Sequence, residues 1–542
     1  MANVLVHIPR PNQGFHVGFG LISAFSLAYE KEDMVDVLIC NDANAECPVK
    51  TFFEKTMYHD SCNDCDTMIH DIDAAIKTFN SNLGKNNPIG IHKSADYIDS
   101  YQLDPIKIEN ELSSFKSKYN AIGESDTFSG EFSDSPWISE LCTLSSVTAY
   151  DIANSDKYDY LAKMLIGLAV RIESLAESFL RCKNYEKYIV YNGRHTAAKS
   201  FWQKFRKLNT YASCFIHEIG LYQDSFSLLN GVSNEDHFEM LPIEYFPKGI
   251  AKTIINDLKG EIAIEKSAYY NYLNYMVGKL DGKKNFYGNV VPIKYKNEGD
   301  LPVRKDSKSI LFLLSSYDEV SIPYPIDRVL YEQVVVPLMI DELQLRGYNI
   351  YIRLHPRSNP QLKNSQSING SYYQFVQKLE KLSQSRKVHL FLPTDKTSSY
   401  DLMRRCRLVI SLFSIAALEA QSLGCLSLVH ARCRGNHSAS GRITSLSKEG
   451  TLNALNVWLD NTKQLLSSKD YMVKARIAAR NFLGNDLSNF TYYIPGFKNF
   501  SPFLNWDWHK GLRQFTISDS YYDTKEIQDL LSKFDEPARS LD

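Results

Sequence analysis

At 542 residues the chain is long enough for about two to four domains. Apolar residues make up 44% and charged residues 23%, an ordinary globular balance that excludes a largely disordered chain. Lys and Arg number 61 against 63 Asp and Glu, so the net charge of −2 supplies no global field for nucleic acid or an anionic membrane.

Residues 4–8 read as a buried strand ended by Pro9 and Pro11. That apolar run is too short for a signal peptide, and no later window reaches the ~18 apolar residues of a membrane span. The chain is therefore expected to remain in the cytoplasm, with its 10 cysteines reduced. Gly14, Gly18 and Gly20 open a helical segment that runs to about residue 29, and residues 35–39 form a second strand. No acidic residue closes that strand as a dinucleotide ribose ligand does, so the glycines read as shaping an acceptor side of a cleft. Cys40, Cys47, Cys62 and Cys65 follow with spacing C-x6-C-x14-C-x2-C. Two readings stand for them, a structural zinc and thiols without metal, because only the last pair has a standard zinc spacing. Residues 80–156 are polar, rich in Ser and Asp and weakly patterned, and are expected to form an irregular insertion.

Helical spacing returns at residues 158–182, where Leu161, Met164, Leu165, Leu168, Ile172, Leu175 and Phe179 recur on one face. Strand 188–191 ends in Asn192-Gly193-Arg194. Helix 196–208 leads to strand 212–216, which ends in His217-Glu218, and Asp224 follows. From residue 307 to 430 the rhythm is regular. Strands are expected at 309–314, 348–354, 388–392, 408–410 and 426–429. Helices are expected at 327–346, with Pro337 inside and Gly347 as the stop, and near 372–382, 399–405 and 414–423. Such alternation means βαβ units and parallel sheets, whose ligands bind beyond the carboxyl ends of the strands. The polar clusters stand at those ends: Ser315 and Ser316, Arg353 and His355, residues 394–399, and Ser411 with Ser414. After residue 480 the periodicity fades into an aromatic-rich tail, part of an excess of 33 Tyr and 28 Phe in the whole chain.

Two Rossmann-like domains facing a central cleft make the GT-B architecture, and that α/β arrangement is the expected fold class. The expected division is an acceptor domain over 1–300, a nucleotide-sugar domain over 301–480 and a segment 481–542 that crosses back onto the first domain. The stretches SSYDE (315–319), RLHP (353–356), SLFSIAALEAQSLG (411–424), YNGR (191–194) and HEIG (217–220) resemble the capsule and surface-polysaccharide glycosyltransferases, a group that includes bacterial Kdo transferases. The resemblance covers roughly residues 187–430. It departs at HEIG, where a HERG-like stretch is more usual. The resemblance implies a nucleotide-sugar donor, CMP-Kdo or a related CMP-linked ulosonic acid, with UDP-sugars open. It also implies a glycan or lipid-linked glycan acceptor and no metal at the reacting centre.

Each candidate residue also has a reading of its own. Ser411 and Ser414 bracket a strand-to-helix turn that can hold phosphate or merely cap the helix. By resemblance Glu419 accepts hydrogen bonds from ribose hydroxyls. Arg353, His355 and Pro356 close a strand beside that turn, where the two basic groups can meet phosphate or base. Ser315, Ser316 and Glu319 line the next strand end and either donate to ligand or cap a helix. Asn192, Gly193 and Arg194 are the candidate substrate-binding turn. Glu218 and His217 are the candidate catalytic pair, Glu218 as acid/base or nucleophile, with Asp224 as the reserve carboxylate. Adjacent strand residues point oppositely, so only one of the pair faces substrate unless the chain bends. The expected function is glycosyl transfer to a surface glycan. A GT-B-fold UDP-sugar 2-epimerase and a non-catalytic glycan-binding subunit are the alternatives. The aromatic tail suits packing on the first domain, an oligomer interface or peripheral attachment to the inner membrane.

Overall fold

The computed structural model describes residues 3–9, 20–21, 24, 28, 33–40, 62–83, 88–97, 104–120, 135–145, 147–191, 193, 195–209, 212–219, 225–232, 239–240, 308–315, 328–355, 358, 370–384, 387–395, 397–431, 433, 439–485, 491–493 and 513–514. Two sheets organise them. In the first, β1 (Asn3–Ile8), β2 (Met34–Ile39), β3 (Gly90–Lys93), β4 (Lys187–Tyr191) and β5 (Ser213–Ile219) are parallel, in the order β3-β2-β1-β4-β5. The sheet then turns antiparallel through β6 (Ser225–Val232), which also pairs with β7 (Glu239–Met240).

In the second sheet, β8 (Ser309–Leu313), β9 (Asn349–Arg353), β10 (Val388–Phe391), β11 (Leu408–Ile410), β12 (Leu426–His430) and β13 (Gly441–Ile443) are all parallel, in the order β10-β9-β8-β11-β12-β13. The central strands are continuous apolar runs because helices cover both faces of a parallel sheet. Every residue of β8, β11 and β12 is buried. The chain end returns to the first sheet as a strand: β14 (Thr491–Tyr493) pairs antiparallel with β6 and carries β15 (Arg513–Gln514). The fold is thus α/β, two doubly wound parallel sheets with a C-terminal segment that crosses back.

Local chemistry sets several of the element ends. Helix α7 (Arg328–Leu345) contains Pro337 and stops at Gly347, whose φ of 80° a residue with a side chain adopts only under strain. There the Tyr348 N–H donates to the Leu343 carbonyl and the chain enters β9. Gly424, with φ of 88°, ends α10 (Ala416–Ser422) in the same way, and the Cys425 N–H donates to the Ala420 carbonyl just before β12.

The stretch 80–156 differs from its expected irregularity. Its described residues hold the end of helix α1 (Cys62–Leu83), strand β3, and helices α2 (Pro105–Asn120), α3 (Ile138–Ser145) and α4 (Ala149–Ala153). Their polar composition conceals short apolar faces, with Leu112, Phe115, Trp137, Leu141 and Ile152 buried. These residues share one continuous core with Ile310, Phe312, Val336, Ile352 and Leu379 of the second sheet's unit. Helix α5 (Asp159–Leu180) joins two cores. Ala162, Leu165, Ile166 and Val170 belong to that core, whereas Ile172, Leu175, Ala176 and Phe179 pack with α6 (Thr196–Leu208) on the first sheet.

A polar knot strengthens the junction. The Asp151 carboxylate closes a capping box with Thr148 at the start of α4. It also accepts from the Ser371 N–H at 2.6 Å and the Ser371 hydroxyl at 3.1 Å, where α8 (Ser371–Ser383) begins with Gly370 as its N-cap. Gly370 has no side chain to cap the helix, and Asp151 supplies the missing acceptor from 220 residues away. Among the described residues no helix is long and apolar enough to cross a membrane.

Candidate functional site

In a doubly wound sheet the ligand crevice lies where the strand order reverses, beyond the strand carboxyl ends. The reversals fall between β1 and β4 in the first sheet and between β8 and β11 in the second.

At the second crevice, β8 runs out into Leu314 and Ser315. Both the N–H and the hydroxyl of Ser315 donate to the Glu332 carboxylate of α7, each at 2.9 Å, in a fully buried arrangement. Across the crevice the Ser411 hydroxyl donates to the Leu313 carbonyl at 3.2 Å, and its N–H donates to the Leu428 carbonyl. Ser411 therefore stitches the ends of β8, β11 and β12 together. Ser414 caps the following turn, its hydroxyl accepting from the Ala416 N–H at 3.2 Å. Between the two serines Phe413 stacks on the buried His430 ring at 4.9 Å. Glu419 lies buried in α10, and the Tyr400 hydroxyl of α9 (Ser399–Arg405) donates to it at 3.1 Å.

Arg353, the last residue of β9, is buried and donates to the carbonyls of Leu392 and Asp395. It fixes the loop after β10 at the crevice edge. His355 stands half-buried two residues on, its carbonyl accepting from the Ser358 N–H. Ser315, Arg353, His355, Ser411, Ser414 and Glu419 thus all stand at one edge of one sheet. Ser316, Glu319 and Pro356 lie outside the described residues.

At the first crevice, β1 ends beside His7, which is buried, hydrogen-bonds with the Tyr188 hydroxyl at 2.8 Å and lies 4.5 Å from the Phe201 ring. Burial holds its imidazole down at about 3, so it is neutral at pH 7. The turn after β4 is anchored twice. The Trp202 indole N–H donates to the Gly193 carbonyl at 3.3 Å. The Glu140 carboxylate of α3 accepts from the Thr196 N–H, the first of α6, at 2.8 Å. Its other oxygen stands 3.9 Å from Nδ1 of His195, the N-cap of α6. Asn192, Arg194 and Asp224 lie outside the described residues.

His217 and Glu218 are described at the backbone only. Strand β5 does not end at them but runs to Ile219, because β6 returns beside it with Leu228 opposite His217 and Ser227 opposite Glu218. His217 is level with Tyr191, the last residue of β4, and so keeps its place at the carboxyl edge. As successive strand positions the two fall on opposite faces of the sheet. Cys40 follows β2, and its N–H donates to the Ile8 carbonyl. Cys47 lies outside the described residues, and Cys62 and Cys65, in the first turn of α1, are described at the backbone only. Among the described residues no group of three or more His, Cys, Asp or Glu is placed to hold a metal ion.

Glu140, Glu332, His195 and Tyr400 were not among the expected site residues. A signal existed for two of them. Glu332 interrupts the apolar run VLYEQVVV and Glu140 the run WISELC, and a carboxylate on an apolar face needs a partner.

No protein-family model matches the sequence, and no curated protein does. Solved structures with similar chain traces include UDP-GlcNAc 2-epimerase from Neisseria meningitidis, at 14% identity over 89% of this chain and 96% of that one, with a TM-score of 0.30. The β-Kdo 2,4 transferase KpsC of Thermosulfurimonas dismutans is 15% identical over 45% of this chain and 69% of that one, with a TM-score of 0.28. The N-terminal domain of Candida albicans trehalose-6-phosphate phosphatase is 10% identical over 90% and 95%, with a TM-score of 0.33. Likeness at this level leaves function to the geometry of the two crevices.

Proposed function

We propose that the chain is a nucleotide-sugar enzyme that transfers a glycosyl group to a surface-glycan acceptor, with the nucleotide held by the second sheet's unit and the acceptor by the first. One observation supports this reading: Ser315, Arg353, His355, Ser411 and Ser414 stand at the strand carboxyl edge of the second sheet, and Gly193 follows β4, which borders the strand-order reversal of the first.

In the second crevice His355 and Ser414 meet the phosphates and Glu419 receives the ribose hydroxyls, while Ser411, committed to the Leu313 and Leu428 carbonyls, holds the strand ends together. Ser315 and Arg353 are spent inside the protein, on Glu332 and on the Leu392 and Asp395 carbonyls, and they shape the crevice from below. In the first crevice Arg194 and Asn192 bind the acceptor or a substrate carboxylate. Glu218 acts as acid/base or nucleophile, with His217 on substrate or phosphate and Asp224 as the reserve carboxylate. In the reaction the bond between the anomeric carbon and the phosphate oxygen breaks, and the nucleotide leaves with the electron pair. The acceptor oxygen bonds to that carbon and gives up its proton to the Glu218 carboxylate acting as base, or to Asp224 in its place. No metal or cofactor is needed for this chemistry. A CMP-linked ulosonic acid is the favoured donor on the resemblance of the sequence motifs, and a UDP-sugar is the second choice.

The test is an assay of purified protein with CMP- and UDP-sugars, with and without a glycan acceptor. Transfer product that forms only when acceptor is present supports the reading. An altered donor sugar without acceptor identifies an epimerase instead. Absence of nucleotide binding by calorimetry identifies a glycan-binding subunit.

A further inference from the structure

Tyr400 has no part in the reaction described above, and its hydroxyl donates to the Glu419 carboxylate at 3.1 Å. The two residues stand 19 positions apart, in the first turns of α9 and α10. Both helices follow strands of the second sheet and so begin at its carboxyl edge, where the crevice lies. Glu419 is 4% exposed. A ligand can approach so covered a carboxylate from few directions, and the way its oxygens point decides whether a ligand hydroxyl meets one. A hydrogen bond to a carboxylate is directional and charge-assisted, so the donor that holds Glu419 also aims it.

Both backbones are fixed. At α9 the Ser398 hydroxyl, on the N-cap residue, accepts from the Tyr400 N–H at 3.2 Å. At α10 the Glu419 N–H donates to the Ile415 carbonyl, and the Ser422 hydroxyl donates to the Glu419 carbonyl at 2.6 Å. The Tyr400 ring is half-buried and packs against the apolar cluster that contains Leu311, Leu313, Leu402 and Met403. The ring thus has a packing role of its own, and the contact with Glu419 is isolated by removing the hydroxyl alone.

We propose that Tyr400 is a positioning residue for Glu419, and that it sets how strongly the second crevice prefers a ribonucleotide to its deoxy counterpart. The inference rests on the nucleotide-sugar reading, in which Glu419 accepts from the ribose hydroxyls. Held by the phenol, the carboxylate meets those hydroxyls already oriented, and little side-chain freedom is lost when the nucleotide binds. Without the phenol the nucleotide itself must order the carboxylate, and the preference for ribose shrinks. A deoxynucleotide lacks the hydroxyl concerned and is indifferent to the aim.

The experiment measures, by calorimetry on the full chain, binding of CMP, UMP and their 2′-deoxy and 3′-deoxy counterparts to wild type, Tyr400→Phe, Glu419→Gln and the double variant. Wild type is expected to bind the better ribonucleotide about tenfold or more tightly than at least one deoxy counterpart. Tyr400→Phe keeps the ring and its packing. It is expected to lower that ratio about threefold or more, with deoxynucleotide affinity within about twofold of wild type. In the Glu419→Gln background the same change is expected to leave the ratio where it stands, because the two groups act through one contact. An unchanged ratio in Tyr400→Phe overturns the proposal. So does an equal loss for ribo- and deoxynucleotides, the mark of a merely structural hydroxyl, and so does a further fall of the ratio in the double variant. Wild-type protein that binds ribo- and deoxynucleotides equally overturns the placing of ribose at Glu419, and the proposal with it. Wild-type protein that binds neither nucleotide overturns the nucleotide-sugar reading itself, which separates the failures.

Discussion

The two sheets share one strand order around their reversal points and differ in how each crevice is furnished. In both, a buried glutamate from a covering helix reaches the loop at the carboxyl edge: Glu332 in the second unit and Glu140 in the first. Glu332 takes both the N–H and the hydroxyl of Ser315, and the strand end becomes a fixed floor. Glu140 takes the Thr196 N–H at the start of α6 and stands 3.9 Å from the His195 ring. The same device therefore ties down a strand end in one unit and a helix start in the other. The second sheet is parallel throughout, whereas the first gains an antiparallel extension in which β6 is paired on one side by β14 from the chain end. That extension lies next to His217 and Glu218, so the far end of the sequence reaches the neighbourhood of the candidate chemistry.

The comparison breaks first at Glu218. Glu218→Gln is expected to cut turnover on the order of 10²–10⁴-fold while nucleotide binding stays near wild type, because it removes a titratable group from the first unit alone. Single-turnover kinetics and calorimetry on the same preparation check this, with Asp224→Asn alongside. A dead Asp224→Asn beside a Glu218→Gln that keeps more than a tenth of its activity moves the chemistry to Asp224.

Glu332→Ala strands a buried N–H and a buried hydroxyl, and should cost about 2–4 kcal/mol of stability. Denaturant unfolding that finds less than about 1 kcal/mol removes Glu332 as the floor of the crevice. His355→Ala and Glu419→Ala should each weaken nucleotide binding by about 1.5–3 kcal/mol, roughly 10- to 150-fold, with unfolding midpoints little changed. Wild-type affinity in both variants would place the nucleotide elsewhere and end the division of labour between the units. The smallest effect concerns their junction. Asp151→Ala removes the reciprocal half of the α4 capping box and the cap of α8 together, and should cost about 1–2 kcal/mol in thermal unfolding, with Asp151→Asn recovering part of it. Full stability in the alanine variant would mean that the shared core alone joins the units.

Most of the regular structure was legible in the sequence. Helix Thr196–Leu208, helix Ser399–Arg405 and strand Leu408–Ile410 have the bounds that their apolar spacing predicts, because periodicity and capping act within a few residues. The motif residues at the carboxyl ends of β4, β8, β9 and β11 were legible for the same reason. The helices of the 105–153 stretch were not, since each buries only a few apolar residues and a polar surround masks the period. Strand β5 was read as ending too soon, because its last residues are held by pairing with β6 rather than by an apolar run of their own.

What only tertiary structure decided is the company that the polar residues keep. Glu140 meets Thr196 across 56 positions and Asp151 meets Ser371 across 220, and neither contact leaves a periodic trace in the chain. A buried carboxylate announces that it needs a donor, yet sequence cannot say which donor, since desolvation sets the need locally while the packing of distant helices chooses the partner. The sequence by itself determined the strands, the helices and the edges where chemistry can gather. Packing determined that one glutamate braces a serine and its counterpart braces the start of a helix, because only the folded chain brings those groups within hydrogen-bonding reach.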